Sequence, residues 1–153
     1  MNIEIISKKK KEEIEEFLRE RYGIKILQHY RLISTAKNRL RIFTGNLTEK
    51  DINVLNSLLT IDSIGLYFAF FNNLDNELRI GFDASTLFGK SITKNVLEID
   101  EKQKEEWLAG RDLNYSGNSR GYVFIKHNQD ILGMGKLTEN KILNFVPKER
   151  REN

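Results

Sequence analysis

The 153 residues contain no cysteine, one proline, and 25 Lys and Arg against 22 Asp and Glu, a formal charge of +3. A chain of this length buries roughly 70% of its unfolded surface, which suits one ordinary domain or two small ones with no disulfide or zinc staple. The missing cysteines exclude thiol nucleophiles, iron–sulfur clusters and thiolate zinc sites, and two histidines give no basis for a dedicated metal centre or other cofactor. The longest apolar run, Ile64 to Phe71, is far short of the roughly 20 residues a membrane helix needs. Met1 to Ile6 contains Glu4 and runs directly into lysines, unlike a signal peptide. The expectation is a soluble, cytoplasmic protein with no membrane partner.

Charge is unevenly placed. Residues 1–60 carry 12 basic and 8 acidic side chains, residues 61–110 carry 5 and 9, and residues 111–153 carry 8 and 5. Between Arg19 and Arg41, seven basic residues (Arg19, Arg21, Lys25, Arg31, Lys37, Arg39 and Arg41) face only Glu20. Such a cluster is either the footprint of a polyanion or a solvated surface, and composition alone favours neither.

In chain order, Ser7 caps a helix to about Tyr22, with Gly23 as its terminator and Ile14, Phe17, Leu18 and Tyr22 as its apolar stripe. Ile24–Leu27 and Arg39–Phe43 read as strands, the second with Arg39 and Arg41 outward. Thr48 opens a helix through about Leu59 with Ile52, Leu55, Leu58 and Leu59 as its buried stripe. Ile64–Phe71 is apolar on both alternating faces and suits a strand covered on both sides. Asn72–Asn76 turns, and Glu77–Phe82 returns as a strand. Asn95–Ile99 is a strand feeding a helix capped by Asp100, with Gln103 completing a capping box and Gly110 stopping it. Short β runs follow at Tyr122–Lys126, Ile131–Lys136 and Lys141–Val146, separated by polar turns. The chain thus predicts an α+β fold, an α/β N-terminal half followed by a mostly β C-terminal half.

Two motif matches fail on context. Ala84-Ser-Thr-Leu-Phe-Gly-Lys-Ser91 fits a relaxed phosphate-loop pattern, but no helix follows it, and a short helical turn explains it better. Arg120-Gly-Tyr-Val-Phe-Ile-Lys-His127 approaches an RNA-recognition signature, with Val123 and His127 at positions that call for Gly or Ala and for Phe or Tyr. No helix follows it either, so Tyr122 and Phe124 read as core. No catalytic constellation is visible: His29 and His127 lie in separate halves, and the carboxylates Glu12, Glu13, Glu15 and Glu16 line a solvated helix face.

A third match is extended. Lys94-Asn-Val-Leu-Glu-Ile-Asp100, the helix after it and Leu108-Ala-Gly-Arg-Asp-Leu113 resemble the opening of a PUA domain, an RNA-binding module. Gly121-Tyr-Val-Phe-Ile125, Ile131-Leu-Gly-Met-Gly-Lys136 and Asn144-Phe-Val-Pro-Lys148 with Arg151 resemble the PUA-like tail of RsmF/Sun-type ribosomal-RNA 5-methylcytosine methyltransferases. Leu143 stands where that tail usually has Lys, and Arg150 where it has Leu. The segment Gly65–Ala69 and the stretch Leu78–Leu87 look like the linker before such tails, so the resemblance extends over residues 60–153. Those enzymes use cysteine chemistry in a separate catalytic domain, and this chain has no cysteine.

The resemblance implies an N-terminal α/β, pre-PUA-like domain over residues 1–92 and a PUA-like pseudo-barrel over residues 93–153. It implies non-catalytic binding of structured RNA, ribosomal or transfer, in ribosome biogenesis or RNA modification. The residues it singles out for RNA are Gly110, Arg111, Arg120, Lys136, Lys141, Asn144, Lys148 and Arg151, with no catalytic or metal-binding residue. Gly133 and Gly135 mark either a tight barrel corner or a backbone approached by ligand, and Asn144 either reads a base or pins the chain before Pro147. Two other readings stay open. One is a specificity or docking subunit of an RNA-modifying enzyme or a ribosome-assembly factor, favoured by an exposed apolar patch. The other is a small-molecule-binding α/β protein, favoured by a deep pocket with pKa-perturbed groups.

Overall fold

The structure is a computed structural model, and it describes residues 3–25, 27–36, 38–72 and 76–153. After a short strand β1 (Glu4–Ile5), helix α1 (Lys8–Tyr22) starts where the Ser7 hydroxyl accepts the Lys10 N–H at 3.3 Å. It ends at Gly23, whose φ of +80° is the left-handed geometry that glycine adopts without strain. The strand expected at Ile24–Leu27 does not appear at residues 24, 25 and 27, and Ile26 lies outside the described residues. The Ile24 N–H bonds back to the Leu18 carbonyl at 3.2 Å as part of the helix stop, and Leu27–His29 is a 3-10 turn. Ile24 and Leu27 are buried as plugs instead, and the strand begins later, as β2 (Arg31–Ala36).

Strand β3 (Arg39–Phe43) follows with the expected alternation. Helix α2 (Glu49–Leu58) carries a full capping box, in which the hydroxyl and backbone N–H of Thr48 hold the Asp51 carboxyl below the usual carboxylate range. Its expected stripe is mostly not buried. Ile52 packs with Ile3, Ile33 and Phe43, whereas Leu58 and Leu59 are 73% and 63% exposed. Helical spacing fixes which side of α2 is apolar, but the small cluster beneath it covers only one turn.

Strands β4 (Leu66–Asn72) and β5 (Glu77–Ile80) complete an antiparallel sheet in the order β1-β2-β3-β4-β5. The expected turn at Asn72–Asn76 falls largely on residues 73–75, outside those described. A register shift between Leu40 and Arg41 lets consecutive Phe68 and Ala69 both be buried. Tyr67 and Phe70 are only half-buried, because β4 lies one strand from the edge and its outer face is not layered over. Phe82 does not extend β5 but begins helix α3 (Phe82–Phe88), so the phosphate-loop look-alike is a helix with buried Ala84, Ser85 and Phe88, followed by a 3-10 turn at Gly89–Ser91.

The C-terminal half follows its sequence closely. Strand β6 (Val96–Glu98) leads to α4 (Glu101–Leu108), capped by Asp100 and Gln103, and then come β7 (Leu113–Asn114), β8 (Gly121–His127), β9 (Asp130–Leu137) and β10 (Lys141–Asn144). They form a half-barrel sheet in the order β6-β8-β9-β10-β7, with β6 parallel to β8 and the other pairs antiparallel. One face packs Val123, Ile125, Leu137 and Ile142 around the fully buried Trp107 of α4, whose indole N–H donates to the Leu132 carbonyl at 2.7 Å.

The other face of this sheet is not separate from the N-terminal half. Tyr122, Phe124, Ile131 and Met134 share one core with Leu18 and Tyr22 of α1, Phe68 of β4 and Phe88 of α3. Tyr22 meets Phe124 edge to face at 5.1 Å between centroids. The connector then caps α1: the Thr93 and Lys94 N–H groups donate to the Tyr22 carbonyl, and the Asn95 amide donates to the Arg21 carbonyl at 2.7 Å. Helix-end carbonyls that water would otherwise satisfy are thereby used to fix the joint.

Two expected outcomes test this joint. Burial, opposed by neighbouring Arg21, pushes the Tyr22 phenol up to about 12. Because the folded state favours the neutral phenol, this contribution to stability is full below the unfolded value of about 10 and is lost as pH rises towards 12. An ultraviolet phenolate titration should show a late-titrating tyrosine that Tyr22→Phe removes, with alkaline unfolding beginning above about pH 10. The second concerns Gly133, at φ +89°, where an added Cβ would lie 2.9 Å from the Phe82 ring of α3. Gly133→Ala should lower stability by about 1–3 kcal/mol in urea unfolding, and a change under about 0.5 kcal/mol would contradict the packing described.

Candidate nucleic-acid interface

The end of α4 organises one group of the expected site residues. The Gly110 N–H bonds to the Trp107 carbonyl and the Arg111 N–H to the Glu106 carbonyl, both at 3.0 Å, with Gly110 at φ +86°. This paired return is the Schellman stop that a glycine just past a helix favours. Asn144, at the end of β10, locks it from across the fold. Its amide donates to the carbonyls of Trp107 at 2.8 Å and Arg111 at 2.9 Å, while its side-chain oxygen accepts the Val146 N–H at 2.8 Å. The amide and the oxygen are therefore engaged within the chain, which is the pinning role rather than the base-reading one. The Arg151 side chain lies across Gly110, where any Cβ would collide with it, and its Nε donates to the Val146 carbonyl at 3.2 Å. Gly110 thus makes room for Arg151.

What this arrangement presents outward is charge. Arg111 is exposed beside the helix stop, and Lys141 is held near it through Asp112 at 3.4 Å, the same carboxylate that accepts the Asn144 backbone N–H. Lys148 is exposed at the start of a 3-10 turn, Lys148–Arg150, and Arg150 pairs with Asp83 of α3 at 3.0 Å. Gly110, Arg111, Lys141, Asn144 and Arg151 are brought together, with Lys148 on the segment that follows.

Two expected residues stand apart. Lys136 pairs in register with Tyr122 and Leu143, on the sheet face turned towards the N-terminal half, and its ammonium lies 5.2 Å from the Tyr122 ring centroid. Arg120 folds back on its own loop, donating to the carbonyls of Gly117 and Ser119. The paired glycines of β9 are filled by the protein's own side chains: an added Cβ at Gly133 would meet the Phe82 ring, and one at Gly135 would meet Ile142 at 2.5 Å and the Trp107 ring at 2.9 Å. The basic run from Arg19 to Arg41 disperses. Arg19 pairs with Glu16, Arg41 donates to the carbonyls of Ile64 and Gly65, and Lys37 lies outside the described residues.

Buried His127 bonds through Nδ1 to the Ile99 carbonyl and through Nε2 to Glu101, both at 2.8 Å, which ties β8 to the start of α4. Among the described residues no three His, Asp or Glu side chains gather as a metal would need, and no helix is long and apolar enough to cross a membrane.

Comparison with known proteins falls on this same half. Residues 94–152 match the family described as the methyltransferase RsmF PUA domain. The chain is 34% identical over 74 residues to ribosomal RNA small subunit methyltransferase F of Vibrio vulnificus strain YJ016, a stretch covering 48% of this chain and 16% of that protein. It is 35% identical over 66 residues to the protein of the same name from Vibrio cholerae strain M66-2, covering 42% and 14%. With that of Psychromonas ingrahamii it shares 31% over 80 residues, covering 48% and 17%. The match thus spans about a sixth of the length of these relatives. The helix stop, the paired-glycine strand and the Asn144 lock all fall within residues 94–152, the segment that matches the RsmF PUA domain.

Proposed function

We propose that this chain binds structured RNA, ribosomal or transfer, without catalysing a reaction and without a cofactor, as a factor in ribosome biogenesis or RNA modification. The observation that carries the reading is the rigid α4 stop within the PUA match, from which Arg111 projects with Lys141 beside it and Lys148 on the adjoining turn. Cations on a pre-set backbone hold phosphates with little ordering cost, and they supply affinity more than sequence reading. Asn144, Gly110 and Arg151 act in this reading as the support that fixes those cations.

The two roles separate in experiment. Arg111→Ala and Lys148→Ala should each weaken binding to a ribosomal-RNA hairpin in an anisotropy titration. Each should also flatten the logarithmic salt dependence by about 0.7–0.9, the slope that one neutralised phosphate contributes. Unchanged affinity and slope in both variants would remove this surface from the interface. Asn144→Ala removes the side-chain donor to the Trp107 and Arg111 carbonyls and the acceptor for the Val146 N–H, so it should lower the thermal midpoint by several degrees, the response to a destabilisation of about 1–2 kcal/mol. Arg111→Ala should leave that midpoint nearly unchanged.

One observation favours docking to an RNA-modifying enzyme as a second reading. Val54, Leu58 and Leu59, on and just after α2, stay exposed at 49%, 73% and 63%, an apolar face in the half that lies outside the PUA match. Co-elution with an rRNA methyltransferase catalytic domain, abolished by Leu58→Glu with hairpin binding intact, is the outcome this reading requires. Absence of co-elution with the unaltered chain would end it.

A further inference from the structure

The antiparallel register places Arg39 of β3, Phe70 of β4 and Arg79 of β5 side by side on the outer face of the N-terminal sheet. That row does not stop at the sheet edge. The Arg79 guanidinium lies 5.7 Å from the Phe70 ring centroid and 4.6 Å from that of Phe145, which follows β10 in the other half. Phe145 in turn lies 6.0 Å from Tyr122, and Lys136 caps Tyr122 at 5.2 Å. Cation and ring thus alternate across the junction. Phe70 and Phe145 are half-buried and Arg39 is exposed, and among the described residues neither Arg39 nor Arg79 pairs with a carboxylate. Beneath Arg79 a groove of about 390 Å³ runs between the halves, walled by Tyr67, Phe82 and Phe145; its acidic end is Glu149 with Asp83, the latter held by Arg150.

We propose that this strip is a second RNA site, for unpaired nucleotides that continue from the structured element held at the α4 end. This inference rests on the RNA reading above. A guanidinium lying over rings offers a flat cationic face on which a base stacks, and the partly exposed Phe70 and Phe145 offer further stacking faces, with buried Tyr122 as support beneath Lys136. Stacking of this kind tolerates any base, because every base has a π-face, and it is closed to a duplex, whose bases already stack on one another. Arg39 and Arg79, beside and within that platform, supply the phosphate charge that a bare apolar surface lacks. The strip is built from both halves, so it exists only when they are docked.

The test uses the whole chain with two labelled probes, a short oligouridylate and a blunt RNA hairpin without overhang. Arg79→Lys keeps the charge and removes the planar stacking face, and Phe145→Leu keeps an apolar side chain and removes the ring. Each should weaken oligouridylate binding about tenfold, within the range for removal of one stacked base, and leave hairpin affinity within about twofold. Arg79→Lys acts on a partly exposed side chain and leaves both rings in place, so it decides the matter if Phe145→Leu unfolds the protein. Hairpin binding without oligouridylate binding, or oligouridylate binding that neither variant alters, overturns this proposal and leaves the α4-end reading standing. The second of these outcomes would return the strip to a polypeptide partner. Failure of both probes overturns both readings.

Discussion

The joining of the two halves centres on the edge-to-face contact between Tyr22 and Phe124. It joins the last turn of α1 to the middle of β8, so the N-terminal helix is packed by the C-terminal sheet as well as by its own. Once that contact is made, α1 must end where it does, because the connector 93–95 takes the carbonyls of Arg21 and Tyr22. Apolar burial supplies the driving force and hydrogen bonds at the helix end supply direction. Neither half could expose its side of this cluster to water without uncovering Leu18, Phe68, Phe88 and Met134 together.

Ring insertion at the glycines of β9 continues the same logic. Gly133 admits Phe82 from α3, and Gly135 admits Trp107 from α4, so one strand accepts a ring from each half on adjacent stretches. Close packing makes each such contact specific, because a single added methyl group has no space to occupy. The Ile80 N–H directed at the Met134 sulfur, at 3.1 Å, closes the seam from the β5 side. The half matching the RsmF PUA domain is therefore fastened to its neighbour through the strand that carries its most distinctive residues.

The candidate surface shows a division between groups that hold and groups that present. Asn144 bonds inward to backbone carbonyls and Arg151, itself exposed, donates through Nε to the Val146 carbonyl, whereas Arg111 and Lys148 present their charge from the segments so fixed. Residue type does not distinguish these roles. An arginine or asparagine in a recognisable motif serves either one, and the hydrogen-bond partners decide which.

Much of this was legible in the sequence. Capping residues and glycine stops marked α1 and α4, alternation marked β3, polar turns bounded β8, and the PUA resemblance was carried by short stretches whose spacing is local. Misreadings fell where a distant partner intervenes. Ile24 left the expected strand to close α1, Phe82 left β5 to meet Gly133, and Leu58 stayed exposed because the cluster beneath α2 reaches only Ile52. The basic run at Arg19–Arg41 scattered, whereas Arg39, Arg79 and Lys136, far apart in the chain, fell into one strip. Caps, turns and period are properties of a few neighbouring residues, so the sequence by itself determined α1, α2, α4, the strands β3, β8, β9 and β10, and the class of the C-terminal half. Which rings fill which glycines, which cations converge and which asparagine is a pin are set by contacts between residues many tens of positions apart, and only the tertiary structure decided those.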